Sequence, residues 1–109
     1  MRIAIAADGD NVSAHFGHCA KFAVYSVAGG VAKHEEDLVA PPHEPGVFPT
    51  FLAENRVNLV IAGGMGPKAV DLFKAKGIEV LLGVSGGIPQ AAEAYAEGRL
   101  QAGESTCHH

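Results

Sequence analysis

Between residues 15 and 19 the chain reads His15-Phe16-Gly17-His18-Cys19. Two imidazoles and a thiol so close together are the side chains that bind soft and borderline transition metals. Metal or metal-cluster ligation is therefore the first chemistry the sequence offers. The spacing matches neither a zinc pattern nor a ferredoxin pattern, and the same residues would also serve as a polar loop with one histidine capping a backbone group. A second cysteine stands near the end, in Cys107-His108-His109. It reads either as a ligand arm or as a loose terminus with histidines added to the natural chain. Coordination needs neutral imidazole and thiolate, so such a site loses affinity as pH falls.

A second group is Gly63-Gly64-Met65-Gly66-Pro67, placed between an apolar run and a helical one. Bare backbone N–H groups and a helix start attract anions, and a sulfide-bridged cluster is often anionic. The loop lacks the Lys-Ser/Thr of a phosphate loop and the spacing of a dinucleotide fingerprint, so a plain tight turn is the competing reading. Met65 is either a weak thioether ligand or core filling. His43 sits among Pro41, Pro42 and Pro45, which suits an oriented ligand or a structural turn. His34, beside Lys33, Glu35 and Glu36, reads as a solvated strand position. No Ser-His-Asp set or assured carboxylate pair supports a hydrolase. Asp8 could begin an acidic metal site only if other carboxylates joined it.

The elements that must position these residues follow from pattern. Residues 2–7 form a short apolar run ended by Asp8-Gly9, hence a buried strand, followed by a polar loop over 8–19. Residues 21–27 and 31–39 read as a hairpin about Gly29-Gly30, since glycine accepts the positive φ of such turns. Residues 47–55 place Val47, Phe48, Phe51 and Leu52 on one helical face. Strand, glycine loop, proline, helix and glycine then recur at 58–77 and 79–98, two β-α units with Gly77 and Gly98 as stops. Residues 99–109 read as a tail on a single domain spanning 1–109.

This order predicts an α/β fold in which the strands at 2–7, 57–62 and 78–82 run parallel. The 8–19 loop, the His43 loop and both glycine loops, the second being Ser85-Gly86-Gly87, then gather at one sheet edge. That is the edge where open α/β sheets take ligands. The stretch from Gly98 to Cys107 spans up to ~30 Å when extended, enough to bring Cys107 there.

Composition narrows the classes. The chain has 109 residues, 48% hydrophobic and 18% charged, which describes a globular domain. Only eight Lys and Arg and a net charge of −4 argue against a nucleic-acid partner. No apolar run approaches the ~20 residues of a membrane span and the start does not read as a signal peptide. A cytoplasmic protein is expected, with Cys19 and Cys107 reduced.

Taken together, Ser13-Ala14-His15-Phe16-Gly17, Pro42-His43-Glu44-Pro45-Gly46, Ile61-Ala62-Gly63-Gly64-Met65-Gly66 and Gly83-Val84 followed by Gly86 form a pattern over most of the chain. In this the sequence resembles the dinitrogenase iron–molybdenum cofactor biosynthesis family, the nitrogenase accessory group of NifX, NafY and the NifB C-terminal domain, as a short stand-alone member. The resemblance implies a ribonuclease-H-like three-layer α/β/α fold with a five-stranded mixed sheet. It implies non-enzymatic binding, storage or transfer of an iron–sulfur or iron–molybdenum cluster, with donor or acceptor proteins as partners. It assigns His15, Phe16, Gly17, His43, Gly63, Gly64, Met65 and Gly66 to cofactor binding. With the residue chemistry above, His15, His18, Cys19 and Cys107 are the candidate metal ligands. Two other expectations stay open: a metal-free regulatory or scaffold module binding a small anion or a protein, and a metal-dependent nuclease or phosphatase built around Asp8. Neither oligomeric state nor cluster identity follows from these residues.

Overall fold

The opening run forms β1 (Arg2–Asp8), in which every residue from Ile3 to Ala7 is fully buried. A strand buried on both faces must lie inside a sheet covered on both sides. The computed structural model describes residues 1–42 and 46–100, with only the backbone of His18. His43, Cys107, His108, His109, the His18 side chain and most of the expected tail lie outside the described residues.

Downstream come β2 (Asn11–Val12), β3 (Lys21–Ala28), β4 (Val31–Val39), α1 (Val47–Glu54), β5 (Leu59–Ile61), α2 (Pro67–Ala75), β6 (Glu79–Leu81) and α3 (Ile88–Ala96). The main sheet order is β4-β3-β1-β5-β6. β1, β5 and β6 are parallel, and β3 and β4 form the antiparallel hairpin, as expected. Gly29 and Gly30 carry its turn at φ 59° and 79°. The strand count differs from the expected five. β2 is a sixth strand, two residues paired antiparallel with the end of β1, inside the segment read as plain loop. That segment also holds a 3-10 turn, Phe16–His18.

Alternation along the strands sends side chains into two layers. Ala4, Ala6, Phe22, Val24 and Val60 pack with Phe48 and Leu52 of α1 and Phe73 of α2. Ile3, Ile5, Ala23, Tyr25, Leu59 and Ile61 pack with Ile88, Ala91 and Ala92 of α3. The fold is thus a mixed sheet with helices on both faces. Among the described residues, no helix is long and apolar enough to cross a membrane.

All three helices stop the same way. In α2, Gly77 N–H bonds the Lys74 carbonyl and Ile78 N–H bonds the Phe73 carbonyl; in α3, Gly98 and Arg99 repeat this on Tyr95 and Ala94. These are left-handed caps, with φ 78° at Gly77 and 77° at Gly98. α1 has the same bonds, Arg56 to Ala53 and Val57 to Leu52, but Arg56 holds φ 62° without being glycine.

The loop carrying His15 is clamped between the two glycine loops. Val12 N–H donates to Gly86 O at 2.8 Å, and Ile88 N–H donates to Asp10 O at 3.0 Å. Gly63 N–H donates to Ser13 O at 2.8 Å, Phe16 N–H to Gly64 O at 3.0 Å, and Gly83 N–H to Gly63 O at 2.9 Å. A Cβ on Gly63 would stand 2.8 Å from Ala14 Cα, 3.1 Å from Ser13 O and 3.3 Å from Val84 O. All three are backbone atoms that the ladder holds in place.

Three outcomes follow for urea unfolding. Gly63→Ala should cost about 2 kcal/mol through overpacking. Gly66→Ala, whose added Cβ meets nothing within 4 Å, should change stability by less than about 0.5 kcal/mol. Arg56→Gly should raise stability by about 1 kcal/mol by relieving the left-handed backbone.

Candidate functional site

His15 immediately precedes the 3-10 turn, with extended backbone at φ −130° and ψ 105°. Its position is set from the residue two before it. Ser13 is buried, its Oγ donates to the His15 carbonyl at 2.9 Å, and it accepts the His15 N–H at 3.3 Å. Phe16 anchors the other side. Its ring lies 5.2 to 5.7 Å from those of Phe22, Phe48 and Phe73, two of the contacts edge-to-face. Between these anchors the His15 residue stays exposed.

A shallow cavity of about 340 Å³ opens here, lined by Ala14, His15, Phe16, Gly17, Gly64, Met65 and Gly66. It gathers the His15 loop and the first glycine loop, as the shared-edge reading expected. The N–H of Gly63 is spent on Ser13, but those of Gly64, Met65 and Gly66 donate to no partner among the described residues. Gly66 precedes α2 and Pro67 occupies its first turn, so these donors sit at the positive end of that helix. Met65 is half-buried, packing on the core from the cavity wall. Phe16 contributes to the lining while its ring belongs to the core.

Two expectations need correction. The Ser85-Gly86-Gly87 loop does not line this cavity; it holds residues 10–12 through Gly86 O and the Asn11–Gly87 bridge. Cys19 does not stand beside His15 as an open ligand. The turn sends it into the apolar layer with Phe16 and Phe22, where it is 8% exposed. Burial pushes its thiol up to about 11, offset only in part by a backbone hydrogen bond. In this position the thiol packs as a small core residue.

Asp8 is exposed at the end of β1. Among the described residues no three His, Cys, Asp or Glu side chains converge where a metal ion could sit, so the acidic site required around Asp8 is not formed there. Ser13, which positions the backbone of His15, is the residue of this loop that the reading of side-chain chemistry passed over. The Ser-x-His spacing was the available signal, because a serine hydroxyl readily bonds backbone two residues on.

The Cys19 thiol has a measurable consequence. Its folded pKa lies above its ordinary value of 9.0, so its contribution is intact below about pH 9 and is lost as pH rises through about 11. Wild type should lose about 1 kcal/mol more than Cys19→Ala between about pH 8 and about pH 10. Parallel unfolding curves across that range would contradict the buried protonated thiol.

Known proteins place this geometry. A protein of Methanocaldococcus jannaschii, itself uncharacterised, is 33% identical over 106 residues, covering 93% of this chain and 90% of that one. The crystal structure of PH0822 superposes with a TM-score of 0.87 at 33% identity, covering 95% of this chain and 97% of its own. The apo form of the orange protein from Desulfovibrio gigas superposes at 0.72 with 26% identity, covering 95% and 93%. The dinitrogenase iron-molybdenum cofactor family model matches residues 1–98, and the chain belongs to that family.

Proposed function

We propose that this protein binds and hands on an anionic, sulfide-containing metal cluster of the iron–sulfur or iron–molybdenum type, without catalysing a reaction. The observation that carries the reading is the cavity lined both by exposed His15 and by Gly64, Met65 and Gly66, whose N–H groups have no partner among the described residues. Backbone N–H groups beside a helix start favour a negative guest. An imidazole can take one metal position, with the Met65 thioether as a weaker neighbour. The family's tie to the iron–molybdenum cofactor and the likeness to a protein known in an apo form support the same reading.

The donor set also limits the cargo. Among the described residues it cannot supply three protein ligands to one metal. It suits a cluster that arrives with its own sulfides and is held largely by N–H···S contacts and one imidazole. His18, His43 and Cys107 are further donors that the proposal admits. Phe16, Gly17 and Gly63 act by shaping the cavity. The protein would then work in the cytoplasm, between a protein that donates the cluster and one that accepts it. We read the sheet, with an antiparallel hairpin on one flank and parallel strands on the other, as ribonuclease-H-like.

The same uncommitted N–H groups would serve a metal-free module that binds a small anion or a protein. Anaerobic reconstitution with iron and sulfide, with and without molybdate, separates the two. After desalting, metal analysis and visible spectra should show stoichiometric metal with a charge-transfer band. His15→Ala should cut uptake by about tenfold, on the order of one lost ligand interaction. Cys19→Ala should retain it. Metal-free protein under every condition would overturn the cluster reading in favour of the anion module.

A further inference from the structure

On the opposite face of the sheet, the side covered by α3, the β3–β4 hairpin carries a second group of polar side chains. His34 and Asp37 both belong to β4, three residues apart. In a regular strand an odd separation sends two side chains to opposite faces. Here the register shifts: Tyr25 pairs with His34, whereas Val24 pairs with Glu36. Glu35 is the extra residue of a β-bulge, and the insertion turns His34 and Asp37 to the same face. Their side chains meet, with His34 Nε2 2.8 Å from Asp37 Oδ1. Lys21 Nζ takes the other carboxylate oxygen at 3.6 Å.

This arrangement sets the chemistry of the imidazole. A carboxylate only accepts, so Nε2 carries the proton, and in the neutral ring Nδ1 is left as an acceptor. Beside it lies Tyr25, ring centroid 5.1 Å from that of His34. Tyr25 is only 8% exposed, yet its hydroxyl has no hydrogen-bond partner among the described residues. No fully buried side-chain nitrogen or oxygen among the described residues lacks a partner, so this phenol oxygen opens onto accessible space rather than being sealed in the core. Burial first, then the nearby Asp37 and Glu93 carboxylates, raise its pKa above the ordinary phenol value. Both side chains line a groove of about 290 Å³ together with Asp10, Lys21, Asp37, Ile88 and Pro89. The Asp10 carboxylate has no ion-pair partner among the described residues.

We propose that this groove is a binding site for a small primary ammonium ion. The Tyr25 hydroxyl, His34 Nδ1 and the Asp10 carboxylate would accept its three N–H donors, and Ile88 and Pro89 would flank its carbon chain. Lys21 is held by Asp37 and serves to fix that carboxylate, and with it the histidine tautomer. The site lies on the α3 face and is independent of any cluster at His15.

Protein NMR with n-butylammonium as the probe tests the assignment. Butyltrimethylammonium is the control, with the same charge and chain but no N–H. Butylammonium should give saturable amide shifts at Asp10, Tyr25, His34 and Ile88, and the quaternary ion should bind about tenfold more weakly or not at all. Tyr25→Phe, which keeps the buried ring, and His34→Ala should each weaken binding by about tenfold while the spectrum stays dispersed. Unsaturable shifts, equal binding of both ions, or unchanged affinity in both variants would overturn the proposal.

Discussion

The close approach of two backbones at Gly63 is the constraint on which the site depends. Its N–H reaches the Ser13 carbonyl at 2.8 Å, and a side chain there would meet Ala14 Cα at 2.8 Å. Only glycine lets the end of β5 lie this close to the segment leaving β1. Once it does, the ladder continues from Gly83 through Gly63 to Ser13 and, by way of Gly64, to Phe16. Burial of Ser13, the fixed backbone of His15 and insertion of the Phe16 ring all follow from that contact.

The ladder also divides labour among the glycines. Gly63 spends its N–H on structure, Gly86 contributes its carbonyl to the clamp, and the N–H groups of Gly64 and Gly66 have no partner among the described residues. The proposed anion site would be pre-organised, because its donors are held by neighbours that are themselves hydrogen-bonded. The aromatic layer beneath it supplies rigidity. Phe16 touches three other phenyl rings, so the loop cannot lift without exposing a large apolar surface. Cys19 belongs to that layer and strengthens it by staying neutral.

On the other face the governing device is different. The bulge at Glu35 converts an odd spacing into a same-face pair, and it also bends an edge strand that would otherwise offer a long unpaired ladder. The two faces are therefore specialised by separate means. Glycine close approach shapes the α1–α2 side, and a register shift shapes the α3 side. β1, buried on both sides, keeps them apart.

The sequence by itself determined what short-range physics can encode. The apolar run at 2–7, Gly29-Gly30, and Gly77 and Gly98 as helix stops each act within a few residues, and the hairpin and the parallel strand set followed from them. The gathering of the His15 loop with Gly64–Gly66 was legible because parallel strands deliver their C-terminal loops to one edge. Other features existed only once distant segments met. β2 is two residues with no pattern of their own, made a strand by pairing with Ala7 and Asp8. Arg56 adopts a glycine-like backbone because Val57 and Leu52 must reach the core together. Cys19 and His15 stand four residues apart in one metal-like motif, and only the tertiary turn about Phe16 decided that one faces solvent and the other the core. A side chain's chemistry is set by its residue type, but whether it is available depends on burial, and burial is a property of the whole chain.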